Sequence, residues 1–187
     1  MLFSIILIIL IIYFVFKSIV IVPQQHVMVV ETMGKYSKTL DAGLNILLPF
    51  LDKPRCIEVA QKQKKKDGSV CAVTVLSPTI DLREIVCNFD FKKVQTKDYD
   101  SVSIKALLGY QIVEPRKAVY SVKNLSEAIE NMLKITLMDI VAGKSLQDTL
   151  EGTELISEDL LGIMEKEVVQ WGVKINRVKL HSVKEQF

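Results

Sequence analysis

The chain has 187 residues, 49% of them hydrophobic and 25% charged, with a formal net charge of +2. That near-neutral balance gives no footing for nucleic-acid binding. The cysteines Cys56, Cys71 and Cys87 are widely spaced, no C-x-x-C occurs, and only His26 and His181 could join them, so a zinc site lacks ligands at the usual spacing. Cys71 and Cys87 fall in apolar runs and read as small core residues, which fits a reducing compartment.

Residues 1–16, MLFSIILIILIIYFVF, carry no charge, and after Lys17-Ser18 the chain is again apolar up to Pro23. A membrane-spanning helix needs ~20 mostly apolar residues. Lys17 sits close enough to the end to snorkel toward headgroups. A cleaved signal peptide would bring a basic start and a small-residue cleavage site, and neither is present. A buried core helix is the alternative, but it would rarely be apolar on every face. Residues 1–22 are therefore expected to form a single transmembrane anchor. Lys17, Lys35 and Lys38 lie at or after its end, which by the positive-inside rule puts the following domain in the cytoplasm.

Residues 25–32 (QHVMVVET) are β-branched and short, as a strand is, and Gly34-Lys35 supplies a turn. Asp41-Ala42-Gly43 is a second turn signal, followed by an apolar run that Pro49 stops. Residues 55–60 and 70–76 are strand candidates on either side of a lysine cluster at 62–66. The cluster reads first as a solvated loop, and contact with anionic lipid is the alternative. Ile85, Cys87, Phe89 and Phe91 alternate. So do Val102, Ile104, Ala106, Leu108, Tyr110 and Ile112, the clearest strand in the chain. Alternation puts one face on a core and the other in water, which favours antiparallel pairing.

At Asn124 the period changes to that of a helix, through Leu125, Ile129, Leu133, Leu137 and Val141. Asn124 and Glu127 form a capping box, and Gly143 ends the run. Ser145 and Asp148 cap a short second helix. Ile156, Leu160, Ile163, Met164, Val168 and Trp171 mark a third, ended by Gly172. Residues 173–183 return to strand, with a phase shift that predicts a bulge near Asn176-Arg177. The class is α+β: a mostly antiparallel sheet with packed helices, behind a single transmembrane helix.

Several of these stretches together resemble one family. They are Val22-Pro23-Gln24-Gln25, Gly34-Lys35-Tyr36, and the run from Asp41 and Gly43 to Pro49-Phe50. Residues 102–110, Glu114-Pro115 with Ala118, the helix after Asn124, and Trp171-Gly172-Val173 with Val178 follow in order. The whole resembles the SPFH family (band 7; stomatin, prohibitin and flotillin-like proteins), from residue 22 to about residue 184. On this basis residues 1–22 are the anchor, 23–52 a membrane-proximal part and 53–187 the main SPFH domain. Two arginines common in the family are replaced, by Met138 and Thr153, and residues 61–78 look like an inserted hairpin. Family members continue into a long coiled-coil helix, whereas residues up to Phe187 show no heptads. Weak, concentration-dependent oligomers are therefore expected from this stretch alone.

The resemblance implies a scaffold, not an enzyme. Its partners would be the lipid bilayer, further copies or other SPFH proteins, and client membrane proteins such as a membrane AAA protease or a channel. No cofactor and no catalytic or metal site is expected. No phosphate loop, G-x-S-x-G or H-E-x-x-H occurs. Ser145 beside Lys144, and Asp98 with Asp100, read as turn and cap residues. Asn124-Leu125-Ser126 is a glycosylation sequon that helix capping already explains. Leu44, Ile46, Leu47, Leu48, Phe50 and Leu51 are the candidate second, shallow membrane contact, with ordinary core packing as the alternative. Two other functions stay open: a membrane-tethered hydrolase with an unrecognised site, and a monomeric anchored binding module.

Overall fold

The computed structural model describes residue 13, residues 17–64 and residues 70–185. The chain divides into two units, Met1–Leu82 and Arg83–Phe187.

The first unit begins with strands β1 (Ile19–Val22), β2 (His26–Thr32), β3 (Lys35–Leu40), β4 (Gly43–Ile46) and β5 (Asp52–Pro54). It continues with β6 (Ile57–Lys64), β7 (Val70–Ser77) and β8 (Ile80–Asp81). β2 is central: β3 and β5 flank it, and β8 pairs with its first residues. Met33 and Gly34 join β2 to β3, both at positive φ (52° and 79°). That is the two-residue hairpin loop whose twist matches its strands, and Gly34 adopts it without strain. β1 pairs antiparallel with β4, and β6 with β7. Val22, Met28, Val30, Leu40 and Leu47 form a small core.

Two expectations change here. Ile19–Val22 is a strand hydrogen-bonded to β4, so the anchor helix does not extend to residue 22. The β-branched run Ile19-Val20-Ile21-Val22 suits a strand as well as a span, and pairing with residues 43–46 decides it. The rest of the expected anchor, residues 1–12 and 14–16, lies outside the described residues. Among the described residues no helix is long and apolar enough to cross a membrane. Lys62 and Lys64 belong to β6 rather than to a loop, because Lys64 pairs with Val70. The rest of the lysine cluster lies outside the described residues.

The second unit contains β9 (Ile85–Gln95), β10 (Ser101–Ile112) and β11 (Val173–Glu185), in spatial order β11-β10-β9 and all antiparallel. Between β10 and β11 come helices α1 (Pro115–Ser121), α2 (Leu125–Ala142), α3 (Leu146–Glu151) and α4 (Thr153–Val168), then one 3-10 turn, Val169–Trp171. The six alternating residues from Val102 to Ile112 are all buried. Five of them, Val102 to Tyr110, meet the stripes Ile129, Leu133, Leu137, Val141 of α2 and Ile156, Leu160, Met164, Val168 of α4. Ile163 stands outside the α4 stripe and is exposed. Trp171 and Cys87 are half-buried against this core. Burial pushes the Tyr110 phenol above its ordinary pKa, and its hydroxyl lies 3.5 Å from Ser126 Oγ.

The helix ends follow local chemistry. Asn124 Oδ1 accepts from the Glu127 N–H at 3.2 Å. Ser145 Oγ accepts from the Asp148 N–H at 3.2 Å and donates to its carboxylate at 2.6 Å. Asp98 Oδ2 accepts from the Leu146 N–H at 3.1 Å, which accounts for that aspartate without catalysis. In β11, Arg177 opposes Gly109 and Ile175 opposes Tyr110, so Asn176 is the extra residue of the expected bulge. A second bulge lies at His181, opposite Lys105 and Ala106, where the apolar phase shifts again between Leu180 and Val183. Helix α1 was also not read as a helix, although Pro115 at its first position is a start signal.

Gly172 closes the helical layer. Its φ is +70°, and its carbonyl accepts from the N–H groups of Val113 (3.0 Å) and Glu114 (2.9 Å). A Cβ there would lie 2.5 Å from the Glu114 carbonyl oxygen, which is backbone and cannot swing away. Gly172→Ala is expected to cost more than about 1 kcal/mol, since a left-handed residue and a clash add. Urea unfolding of the full chain in detergent checks this, and equal midpoints for both proteins would contradict it.

Candidate membrane-contact surface

The β1–β4 ribbon is two-faced. Val20 and Val22 point into the small core. Ile19, Ile21, Leu44 and Ile46 alternate with them and share the opposite face, where Ile21 pairs with Leu44 and Ile19 with Ile46. These side chains are exposed: Ile21 72%, Leu44 69% and Ile46 64%. Four aliphatic residues thus stand on the outer face of a two-stranded ribbon and leave much of their surface exposed, which makes that face a candidate contact surface.

The expected contact run 44–51 therefore divides. Leu44, Ile46, Leu48, Phe50 and Leu51 are exposed, Phe50 most of all at 81%. Leu47 is only 6% exposed and packs with Val22, Met28, Val30 and Leu40, so core packing, the alternative, holds at that one position. The reason is the strand period. Ile46 points outward, so the next residue points in, and the Leu47 N–H donates to the Ser18 carbonyl at 2.8 Å. Ile19 and Ile21 complete the patch from β1. Sequence reading had placed them in the spanning helix.

The loop after Leu47 is held by one carboxylate. Asp52 Oδ1 accepts from Thr32 Oγ1 at 2.6 Å, and Oδ2 accepts from the Leu48 N–H at 3.1 Å. Lys38 Nζ stands 3.7 Å from the same carboxylate and donates to the Ile46 carbonyl at 3.2 Å. The Asp52 N–H returns to the Leu48 carbonyl at 3.0 Å. Residues 48–52 thus form a tight turn in which Phe50 takes φ +75°. That conformation is uncommon for an aromatic residue and turns its ring outward. The Asp52 side chain is 4% exposed. The Thr32 hydroxyl, then the Leu48 N–H and the Lys38 ammonium, hold its pKa below the usual carboxylate value against the opposing effect of burial.

Elsewhere, depressions of about 360 Å³ beside Val113, Val169 and Ile175 and about 260 Å³ beside Asn88, Lys105 and His181 line the second unit. Neither brings together a nucleophile and a base within hydrogen-bond reach. Among the described residues no group of three or more His, Cys, Asp or Glu side chains is arranged to hold a metal ion. Cys56 is exposed.

The SPFH domain / Band 7 family model matches residues 20–186. The chain belongs to that family. It is 30% identical over 181 residues to an uncharacterized protein of Mycobacterium tuberculosis, covering 97% of this chain and 42% of that one. An uncharacterized protein of Methanocaldococcus jannaschii is 28% identical over 181 residues, 97% of this chain and 79% of the other. The mitochondrial stomatin-like protein 2 of Rattus norvegicus is 26% identical over 165 residues, 88% of this chain and 40% of that protein. The chain thus spans about two-fifths of the length of the mycobacterial and stomatin-like relatives.

The hold on the loop gives a prediction with a defined sign. The folded pKa of Asp52 is lowered, so its contribution is present above the ordinary carboxylate value and is lost as pH falls through the lower folded value. Asp52→Ala should destabilise the first unit by about 1–3 kcal/mol at neutral pH, because it strands the Thr32 hydroxyl and the Leu48 N–H. Urea unfolding of both proteins should show that gap closing only in strong acid. A gap that closes near neutrality would contradict the assignment.

Proposed function

We propose that this SPFH chain is a membrane-surface scaffold. It is anchored by its apolar N-terminal residues and rests on the same bilayer through the outer face of the β1–β4 ribbon and the turn at Phe50. The observation that carries this reading is the exposed aliphatic face of Ile19, Ile21, Leu44 and Ile46, which continues into Leu48 and Phe50. Residues 2–18 still supply 17 residues for a span, the lower end of the usual ~17–25. A strand that starts at Ile19 then brings the ribbon directly onto the membrane surface. The second unit is held there to assemble with further copies or with other SPFH chains. The scaffold would organise client membrane proteins, for which a membrane AAA protease or a channel is the class that the family resemblance implies. The domain beyond the anchor lies on the cytoplasmic side, following Lys17, Lys35 and Lys38.

The ribbon contact can be separated from the anchor by deleting residues 1–17. The deletion must stop there, because the Ser18 carbonyl accepts from Leu47 and Ile19–Val22 is a strand. The shortened chain should bind phospholipid vesicles. Leu48→Asp with Phe50→Asp should weaken that binding at least about tenfold, since withdrawing even one large apolar side chain from lipid costs more than ~1.4 kcal/mol. Unchanged vesicle flotation of a folded double variant would refute the contact.

A further inference from the structure

The second unit separates its charge onto two opposite sides. Val102, Ile104, Ala106, Leu108 and Tyr110 face the helices, so Lys105, Leu107 and Gly109 point to the open side of the sheet. Register places Lys179 beside Leu107, and Lys174 beside Gln111 on that same side. From the other edge Val86, Asn88 and Asp90 oppose Gly109, Leu107 and Lys105. Lys105, Lys174 and Lys179 are exposed there, as is Lys92 further along β9. The acids on this side are few. Asp90 is one, and Glu84 is engaged by Arg177 Nη2 at 3.1 Å in a bridge that crosses above Gly109. Leu107, half-buried, and Val86, exposed, give this basic face an apolar middle.

The outer surface of α2 and α4, on the far side of the same core, has the opposite sign. Glu127, Glu130, Glu154, Glu158 and Asp159 are exposed, against Lys134 and Lys166, while Glu165 shares a depression with Lys174 at the sheet edge. Leu155, Asp159 and Ile163 follow one line along α4 at i, i+4 and i+8, all exposed. The acidic outer surface of the helices is thus opposite in sign to the basic face of the sheet.

We propose that the second unit stacks head to tail on a second copy of this chain, the open basic face of one sheet against the acidic α2–α4 face of the next. Resting on the scaffold function above for the occurrence of assembly, this assigns the two faces that meet. The contact is heterologous, so each copy keeps one face free and the stack grows until it closes or is capped. A matching acidic face on the same chain favours a second copy over anionic lipid as the occupant of the basic face. Opposed charges at the protein surface also make the contact sensitive to salt.

A charge exchange on the full chain in mild detergent tests it, read by mass photometry at low salt. The sheet variant carries Lys105→Glu and Lys179→Glu, and the helix variant carries Glu158→Lys and Asp159→Lys. All four positions are exposed, so the fold should hold, which circular dichroism checks. Each variant alone should associate at least about tenfold more weakly than the unaltered chain, because like charges then face each other. An equimolar mixture of the two, or one chain carrying all four changes, should recover assembly. Single changes, Lys179→Glu and Glu158→Lys, should give the same pattern if a double variant fails to fold. Assembly of either variant at the unaltered strength, or no recovery on mixing, overturns the proposal and leaves the scaffold function standing. Loss of anionic-vesicle binding by the sheet variant with assembly intact assigns the face to lipid and also overturns it. No assembly of the unaltered chain at any concentration refutes both readings.

Discussion

Strand β10 is hydrogen-bonded along both edges, and its strict alternation decides which side of the sheet every neighbouring residue occupies. Residues 102 to 110 at even positions collect two helices, a core and the acidic outer surface behind it. The odd positions face the other side of the sheet, where Lys105 is exposed and Gly109 lies beneath Glu84 and Arg177, and β9 and β11 add their polar residues to that side through register alone. Removing that alternation would abolish the core and the separation of charge together. Gly109 sits at the crossing point. A Cβ there would meet the Glu84 carboxylate and lie 3.0 Å from the stem of Arg177, so the Glu84–Arg177 ion pair, as it lies across the sheet, needs a glycine beneath it.

In the first unit the same period of two does a different job. The β1–β4 ribbon spends its inner face on a five-residue core too small to cover the outer one. Small sheets rarely bury both faces, and a natural sequence usually makes the outer one polar. Here it is aliphatic, and it lies next in the chain to the apolar N-terminal residues. Asp52 then fixes the loop that extends the apolar surface to Phe50, using a threonine, a backbone N–H and a lysine at once. On the function proposed above, this hold would give the ribbon a set orientation on the membrane rather than leave it on a flexible tether.

Much of the second unit could be read directly from residue order. Alternation from Val102 to Ile112, the caps at Asn124 and Ser145, the stop at Gly172 and the bulge at Asn176 each have a local cause, and each is present. The family, too, was legible from motif order. What escaped depended on partners far along the chain. Ile19–Val22 reads equally well as the end of a span, and only residues 43–46 make it a strand. Leu47 is indistinguishable by type from Leu48, yet strand phase sends one inward and the other outward. The charge separation of the second unit was invisible because its two faces draw on three strands and two helices.

The central claim is that the turn at Phe50 touches lipid, and the chain's single tryptophan makes it directly measurable. Trp171 is half-buried in the second unit, so Trp171→Phe with Phe50→Trp moves the only indole to the tip of the turn. In vesicles the emission of the moved tryptophan should shift to the blue and be quenched by lipids brominated along their acyl chains. An emission maximum like that of indole in water, unaltered by those lipids while the chain remains membrane-bound, would contradict the account.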